Sequence, residues 1–283
     1  SDSSDDYATL GAAIANNTHL EKLAVALSDD LPLTVANRGF YDGLQRNSSI
    51  HQLTFYCGTH NIAGGVGQEI LQAYQEHNNQ LTVLGIDNAD LQSGGDRIIV
   101  DTLRTCRNLQ RFDLLYCNIT DEQLLPIVDA VRGHRMLVLG LLGNNIGNAG
   151  CDAIATLLTD PNCILYTLDL WGNNITDEGA IIIANSLVNN TKLQELDFGS
   201  NAISAIDQSS VEDAFSKLLC NASSINSTFL SNHTLGSLLL PQEHGQNLTS
   251  LLSLNRNGNN RSHAAMRKIL QYHPNIDMEP MFE

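Results

Sequence analysis

The chain has 283 residues, a formal net charge of −16 and a pI of about 4.7. So acidic a balance argues against nucleic acid or an anionic membrane surface as the main ligand. It favours a basic protein partner, or nothing beyond solubility. Hydrophobic residues make up 42% and aromatic residues only 5%, which suits a core of Leu, Ile, Val and Ala.

Length alone would allow two ordinary domains, but a repeated pattern overrides that reading, because stacked repeats share one continuous core. The chain opens mid-repeat. Leu10, Ile14 and Leu20 have the mutual spacing of Ile183, Leu187 and Leu193, and Asn16-Asn17-Thr18-His19-Leu20 echoes Asn189-Asn190-Thr191-Lys192-Leu193. Residues 1–16 are therefore expected to be the helical half of a repeat, serving as an N-terminal cap or left by trimming from a longer protein. Residues 17–240 should hold about eight strands, and residues 241–283 a helical C-terminal cap.

Strands are expected at Leu20-x-x-Leu23-x-Val25, Ile50-x-x-Leu53-x-Phe55, Leu81-x-x-Leu84-x-Ile86, Leu109-x-x-Phe112-x-Leu114 and Met136-x-x-Leu139-x-Leu141. The first leads through an irregular segment, 28–37, into a helix from about Arg38 to Gln45. The clearest repeat follows, Leu165-x-x-Leu168-x-Leu170, then Leu193-x-x-Leu196-x-Phe198. A degenerate last strand is expected at Ile225-x-x-Thr228-x-Leu230, with His233 at the turn and Leu235 closing it. Apolar residues at period two mark strands with one buried face. Asn144, Asn173 and Asn201 fall in one register after three of these strands, where a buried side-chain amide can satisfy backbone groups left free at a turn. Ala89 and Cys117 occupy that slot in earlier repeats and should need compensation. Thr120, Thr176 and Ser93 stand where helix N-caps belong, with acidic residues behind the first two. In the tail, Asn247 to Leu254 and Ser262 to Tyr272 have helical spacing, the second helix being basic and stopped near Pro274.

These residues resemble the leucine-rich repeats, whose periods run from 20 to 29 residues, and within them the ribonuclease-inhibitor-like subgroup with long strand–turn–helix units. The tail, Leu251-Leu252-Ser253-Leu254-Asn255-Arg256-Asn257 with Lys268-Ile269-Leu270-Gln271-Tyr272-His273, is similar to uncharacterised leucine-rich-repeat proteins of diatom type. The resemblance implies an α/β solenoid, a horseshoe with a parallel sheet on its concave face and helices on its convex face.

Signals for chemistry are weak. Gly64-Gly65-Val66-Gly67 opens a helix but lacks the Gly-Lys-Ser/Thr ending of a phosphate loop. Cys57-x-x-His60 offers two metal ligands without a second pair. Cys57, Cys106, Cys117, Cys151, Cys163 and Cys220 form no CxxC pair, so they read as small buried residues in a reducing compartment, the cytoplasm. Sequons at Asn16, Asn47, Asn118, Asn174, Asn189, Asn221, Asn226, Asn232, Asn247 and Asn260 partly fall out of the repeat pattern itself, as in Asn-Ile-Thr at 118 and 174. The first residues do not look like a signal peptide, and no apolar run reaches transmembrane length. Neither catalytic residues, nor a metal, nor a cofactor is expected, and the chain is read as a monomer that is not an enzyme.

The strand residues between the inward leucines carry the functional expectation. Asp113, Asp169 and Asp197 hold one register with Gly140 between the first two, and Asp87 lies near. Arg111, Tyr116, Trp171 and Glu195 accompany them, Trp171 being the sole tryptophan. Aromatic residues beside charge are typical binding anchors. The leading reading is a protein-interaction scaffold that binds a basic surface through Asp87, Arg111, Asp113, Tyr116, Asp169, Trp171, Glu195 and Asp197. The plainer alternative is that Asp is simply common at this slot. Regulation of an enzyme, as by ribonuclease inhibitor or the GTPase-activating proteins for Ran, is a second class. The sensor portion of a larger signalling protein is a third.

Overall fold

The computed structural model describes residues 3–26, 38–58, 70–71, 80–91, 94–204, 208–243, 245–256 and 261–275. The expected features at residues 28–37, His60, 64–67 and Ser93 lie outside them. The chain divides into two compact units, Ser1–Ile146 and Gly147–Glu283.

In the first unit, the helix Ser3–Asn16 precedes β1 (Lys22–Ala26), the helix Arg38–Arg46 and β2 (Gln52–Tyr56). Then come β3 (Val83–Asp87), the helix Gly95–Thr105, β4 (Arg111–Leu115), the helix Asp121–Val131 and β5 (Val138–Gly140). The five strands pair in chain order, all parallel. Leu23, Leu53, Leu84, Phe112 and Leu139 share one register row, and from Leu53 onward this row is buried. Alternation then sends Thr54, Gly85, Asp113 and Gly140 to the other face. The first two helices meet through glycines. A Cβ on Gly43 would overlap the Gly11 backbone, and one on Gly11 would overlap Gly39.

The second unit opens with the helix Asn148–Leu158. It continues through β6 (Thr167–Asp169), the helix Asp177–Ser186, β7 (Glu195–Asp197), the helix Gln208–Leu219, the short helix Ile225–Phe229 and β8 (Ser237–Leu239). The helices Gln246–Arg256 and Arg261–Tyr272 follow. Strands β6, β7 and β8 are parallel in that order, with Leu168, Leu196 and Leu238 in one row.

Two sets of asparagines fix the turns. Asn144 donates to the carbonyls of Leu114 and Leu141, each at 2.8 Å, and accepts from the amides of Cys117 and Ile119 at 3.0 and 3.1 Å. Asn201 donates to Leu170 and Phe198 and accepts from Ile175, and Asn173 donates to Leu170. At the Cys117 position the thiol faces the carbonyls of Leu115 and Ile86, at 3.2 and 3.6 Å. That is the compensation the missing amide requires.

The second set sits three residues before the first inward apolar residue. Asn17, Asn47, Asn190 and Asn232 accept from the amides of Leu20, Ile50, Leu193 and Leu235. This set corrects the expected last strand. Ile225–Phe229 is helical because the Ser224 side chain accepts from the Ser227 amide at 3.0 Å and Thr228 bonds back to the Ser224 carbonyl. Leu235 then opens the strand instead of closing a turn, and the inward residues are Leu235, Leu238 and Leu240. His233 lies in the loop before this strand, not in the turn after one.

The basic helix of the tail, expected as part of the C-terminal cap, buries one of its cations. Lys268 is fully buried. Its ammonium donates to the carbonyls of Leu219 and Asn232 and to Nδ1 of His233.

Candidate functional site

Each unit presents strand residues that alternate with the buried rows. In the first unit, Arg111 and Asp113 form an ion pair at 2.6 Å, so the Asp113 carboxylate already has a cation. Asp113 leans over Gly140, where an added Cβ would overlap its Oδ1. Three residues on, Tyr116 repeats the arrangement: its ring lies where a Cβ on Gly143 would be. Tyr116 is 48% exposed, so the ring packs on glycine on one side while much of the residue meets solvent.

The backbone at Tyr116 is left-handed, with φ 53°. The residues immediately before the asparagine slot share this conformation, namely Asn88 at 56°, Gly143 at 71°, Gly172 at 66° and Ser200 at 54°. Glycine adopts it without steric cost, and a bulky side chain does not. Tyr116 is the bulkiest residue at that slot.

In the second unit the carboxylates have local partners. Asp169 Oδ1 accepts from the Trp171 amide at 3.0 Å, and Asp197 Oδ1 accepts from the Gly199 amide at 2.7 Å. The amides of Leu170 and Gly172, on either side of Trp171, donate to Asp197 and Gly199 of the next strand. The aspartate thus takes the amide that the ladder leaves over, which is a structural reason for Asp at this slot. In each case Oδ1 is the oxygen that accepts this amide. Thr167 donates to Glu195 at 3.0 Å and orients it. Trp171 lies over Gly199, whose added Cβ would come 2.5 Å from the indole Cδ1. Leu239, the β8 partner of Asp197, is exposed.

The sites therefore form two groups. Asp87, Arg111, Asp113 and Tyr116 belong to the first unit, and Asp169, Trp171, Glu195 and Asp197 to the second. Spacing alone did not reveal the glycine seats at 140, 143 and 199, although their small size beside long side chains was the available signal. It also missed Tyr56, which is 51% exposed and pairs with Asp87 across adjacent strands. The signal there was its position in the third row of β2.

Reactive chemistry finds little support. Burial, then the neighbouring Cys117 and Asp87, pushes the Cys57 thiol up to about 12. Burial likewise holds Cys117 at about 11. Both are neutral thiols at physiological pH, hence poor nucleophiles. Burial lowers His134 as well. Among the described residues, no group of three or more His, Cys, Asp or Glu is placed to hold a metal ion. The arrangement is one of fixed aromatic rings and carboxylates, suited to recognition.

The profile of the Leucine Rich repeat family matches residues 105–127, 162–184 and 189–206. Ribonuclease inhibitor of Mus musculus is 33% identical over 141 residues, covering 49% of this chain and 29% of its own length. The chain thus carries leucine-rich repeats, and they are similar to those of the ribonuclease-inhibitor-like subgroup. The leucine-rich-repeat chain is also 32% identical over 148 residues to NACHT, LRR and PYD domains-containing protein 2 of Homo sapiens, covering 52% of this chain and 14% of that protein. It thus spans under a third of either relative. Among solved structures it is similar to leiomodin-1 actin-binding site 2, at 20% identity and a TM-score of 0.46, covering 62% of this chain and 94% of that one. Among the described residues of this leucine-rich-repeat chain, no helix is long and apolar enough to cross a membrane.

Proposed function

We propose that this chain is a non-enzymatic protein-interaction module whose exposed strand faces bind a basic protein surface. One observation carries the reading. The exposed aromatic rings at the strand ends are seated on glycines in the turn after the next strand, Tyr116 on Gly143 and Trp171 on Gly199, with carboxylates beside them. A ring already packed against its neighbour loses little rotamer freedom on binding, which is how rigid aromatic anchors work. The charge of −16 adds long-range attraction for a basic partner. Six free cysteines, five of them buried, support a reducing compartment, and we read the protein as a cytoplasmic monomer with no nucleic-acid or membrane ligand. The name of the mouse relative favours a second reading, in which the bound partner is an enzyme held inactive.

Affinity capture tests the leading reading. One bait is the natural chain, and a second carries Asp169→Lys, Asp197→Lys and Trp171→Ala. A protein retained by the first and lost by the second, with retention falling as salt is raised, is the expected result. Equal retention by both baits would overturn the strand-face reading. If the retained protein is an enzyme, its activity with and without the chain decides between scaffold and inhibitor.

A further inference from the structure

The geometry points to an arginine-binding clasp on the Ser1–Ile146 unit, formed by Tyr56, Asp87 and Tyr116. This rests on the reading of the strand faces as binding surfaces and adds the side chain that one of them takes. A cavity of about 500 Å³ opens at this point, and Tyr56, Cys57, Gly58, Asp87, Asn88 and Tyr116 line it. Tyr56, Asp87 and Leu115 are register partners on β2, β3 and β4, so Tyr116 stands one residue beyond that row.

Parallel strands lie about 4.8 Å apart, which places the two tyrosines roughly 10 Å apart at the backbone with Asp87 on the strand between them. A cation is attracted by a ring when it lies within about 6 Å of the centroid. Because all three side chains line the one cavity, a cationic group entering it meets Asp87 with Tyr56 and Tyr116 on its walls. A guanidinium fits better than an ammonium, because it is planar, weakly hydrated, able to stack on aromatic faces and able to pair with both oxygens of a carboxylate.

Availability and backbone support the same assignment. Each ring is about half exposed. Among the described residues, the ion pairs engage Asp101, Asp113 and Asp129 and leave Asp87 unpaired. The thiols of Cys57 and Cys117 nearby are held neutral by burial. Tyr116 occupies a left-handed position where other repeats carry the smaller Asn88, Gly143, Gly172 and Ser200. A bulky residue kept in a costly conformation marks a functional site more often than a structural one.

The test follows tyrosine and tryptophan ring resonances by NMR. The probes are N-acetyl-arginine amide and its citrulline analogue, which has nearly the same shape without the charge. Saturable shifts at Tyr56 and Tyr116 are expected with the arginine compound, with binding at least roughly fivefold weaker for citrulline. Asp87→Asn is expected to weaken arginine binding roughly fivefold. Tyr116→Gly, which places the residue other repeats already use, should fold normally and lose the response at Tyr56. An equal response to citrulline, or unchanged binding by both variants, overturns the clasp. A peptide of alternating arginine and glycine separates the clasp from the broader strand-face reading. If it shifts Trp171 but neither tyrosine, the clasp is wrong and the broader reading stands. If it shifts none of the three, both fail.

Discussion

The buried Lys268 ammonium donates to Nδ1 of His233 at 3.1 Å, while Nε2 of the same ring lies 3.1 Å from the Phe229 carbonyl. That pairing fixes a neutral imidazole with its proton on Nε2. Burial first, and the Lys268 charge second, pull the His233 pKa down to about 4. In the unfolded chain it would titrate near 6.5. Between these values the unfolded state binds the extra proton, so stability must fall as pH drops from 6.5 towards 4. This group alone contributes on the order of 3 kcal/mol across the window. Urea unfolding at stepped pH values checks it: His233→Gln should flatten that part of the profile, and an unchanged slope would refute the assignment.

Lys268 makes a separate prediction. Burial lowers its pKa to about 7, with the Cys220 thiolate opposing the shift at high pH. The unfolded chain keeps this proton up to about 10.4 and so binds more protons than the folded chain in between. The group's contribution to stability therefore rises with pH above about 7. Lys268→Met should remove that rise. It should also cost roughly 2–4 kcal/mol at neutral pH, because the carbonyls of Leu219 and Asn232 lose a buried donor. Denaturant midpoints at pH 7 and pH 9 measure both effects. The cysteines act oppositely above about pH 9, so Cys220→Ala serves as a background control.

Tyr116 and Gly143 should show strong coupling. Gly143→Ala forces a Cβ into the Tyr116 ring at a backbone φ of 71°, for an expected loss of about 2 kcal/mol. Tyr116→Gly relieves a left-handed tyrosine but gives up the packing of its ring, so its own effect should lie within about 1 kcal/mol of zero. With the ring gone, Gly143→Ala should cost only the backbone share. A double-mutant cycle with a coupling energy below about 0.3 kcal/mol would mean that the ring is not seated on this glycine.

Much of this architecture was legible because repeats state the same physical problem many times. Seven of the eight strands announced themselves through inward residues of the Leu53, Leu84 and Phe112 type, since apolar residues at period two bury one face of a strand and would scatter around a helix. The eighth did not. Ile225, Thr228 and Leu230 mimic the strand spacing, yet Ser224 provides a local helix cap that the apolar pattern could not reveal. Asn232 was the better guide, because it stands three residues before Leu235 as Asn190 stands before Leu193. The site was only partly legible. Sequence placed Asp113, Asp169 and Asp197 in one register but could not show that Arg111, the Trp171 amide and the Gly199 amide already engage them. Those partners depend on side-chain rotamers and turn geometry, which a one-dimensional pattern does not encode.

Asn144 offers a test of the turn ladder. Its side chain is buried and makes four hydrogen bonds of 2.8 to 3.1 Å with backbone groups. Asn144→Leu would leave two amides and two carbonyls without that partner, for an expected loss of about 3 kcal/mol. Thermal unfolding should register it as a lowered midpoint. Asn145→Ala, at an exposed neighbour whose side chain reaches the Asn118 carbonyl only at 3.5 Å, should change the midpoint little. Similar effects from both would rule out the ladder as the source of turn stability.

The thiols give the last prediction. Cys57, Cys106, Cys117, Cys151 and Cys220 are buried, and Cys163 alone is partly accessible. Burial raises the Cys163 pKa too, with the Asp160 charge adding and the Leu165 backbone opposing, so even this thiol should react slowly at neutral pH. A disulfide reagent added to the native protein should therefore modify one thiol per chain well before the others, and Cys163→Ser should abolish that first phase. The remaining five should react only with local or global unfolding, their rate following the urea concentration. Fast modification of Cys57 or Cys117 in native buffer would contradict the burial that keeps both thiols neutral.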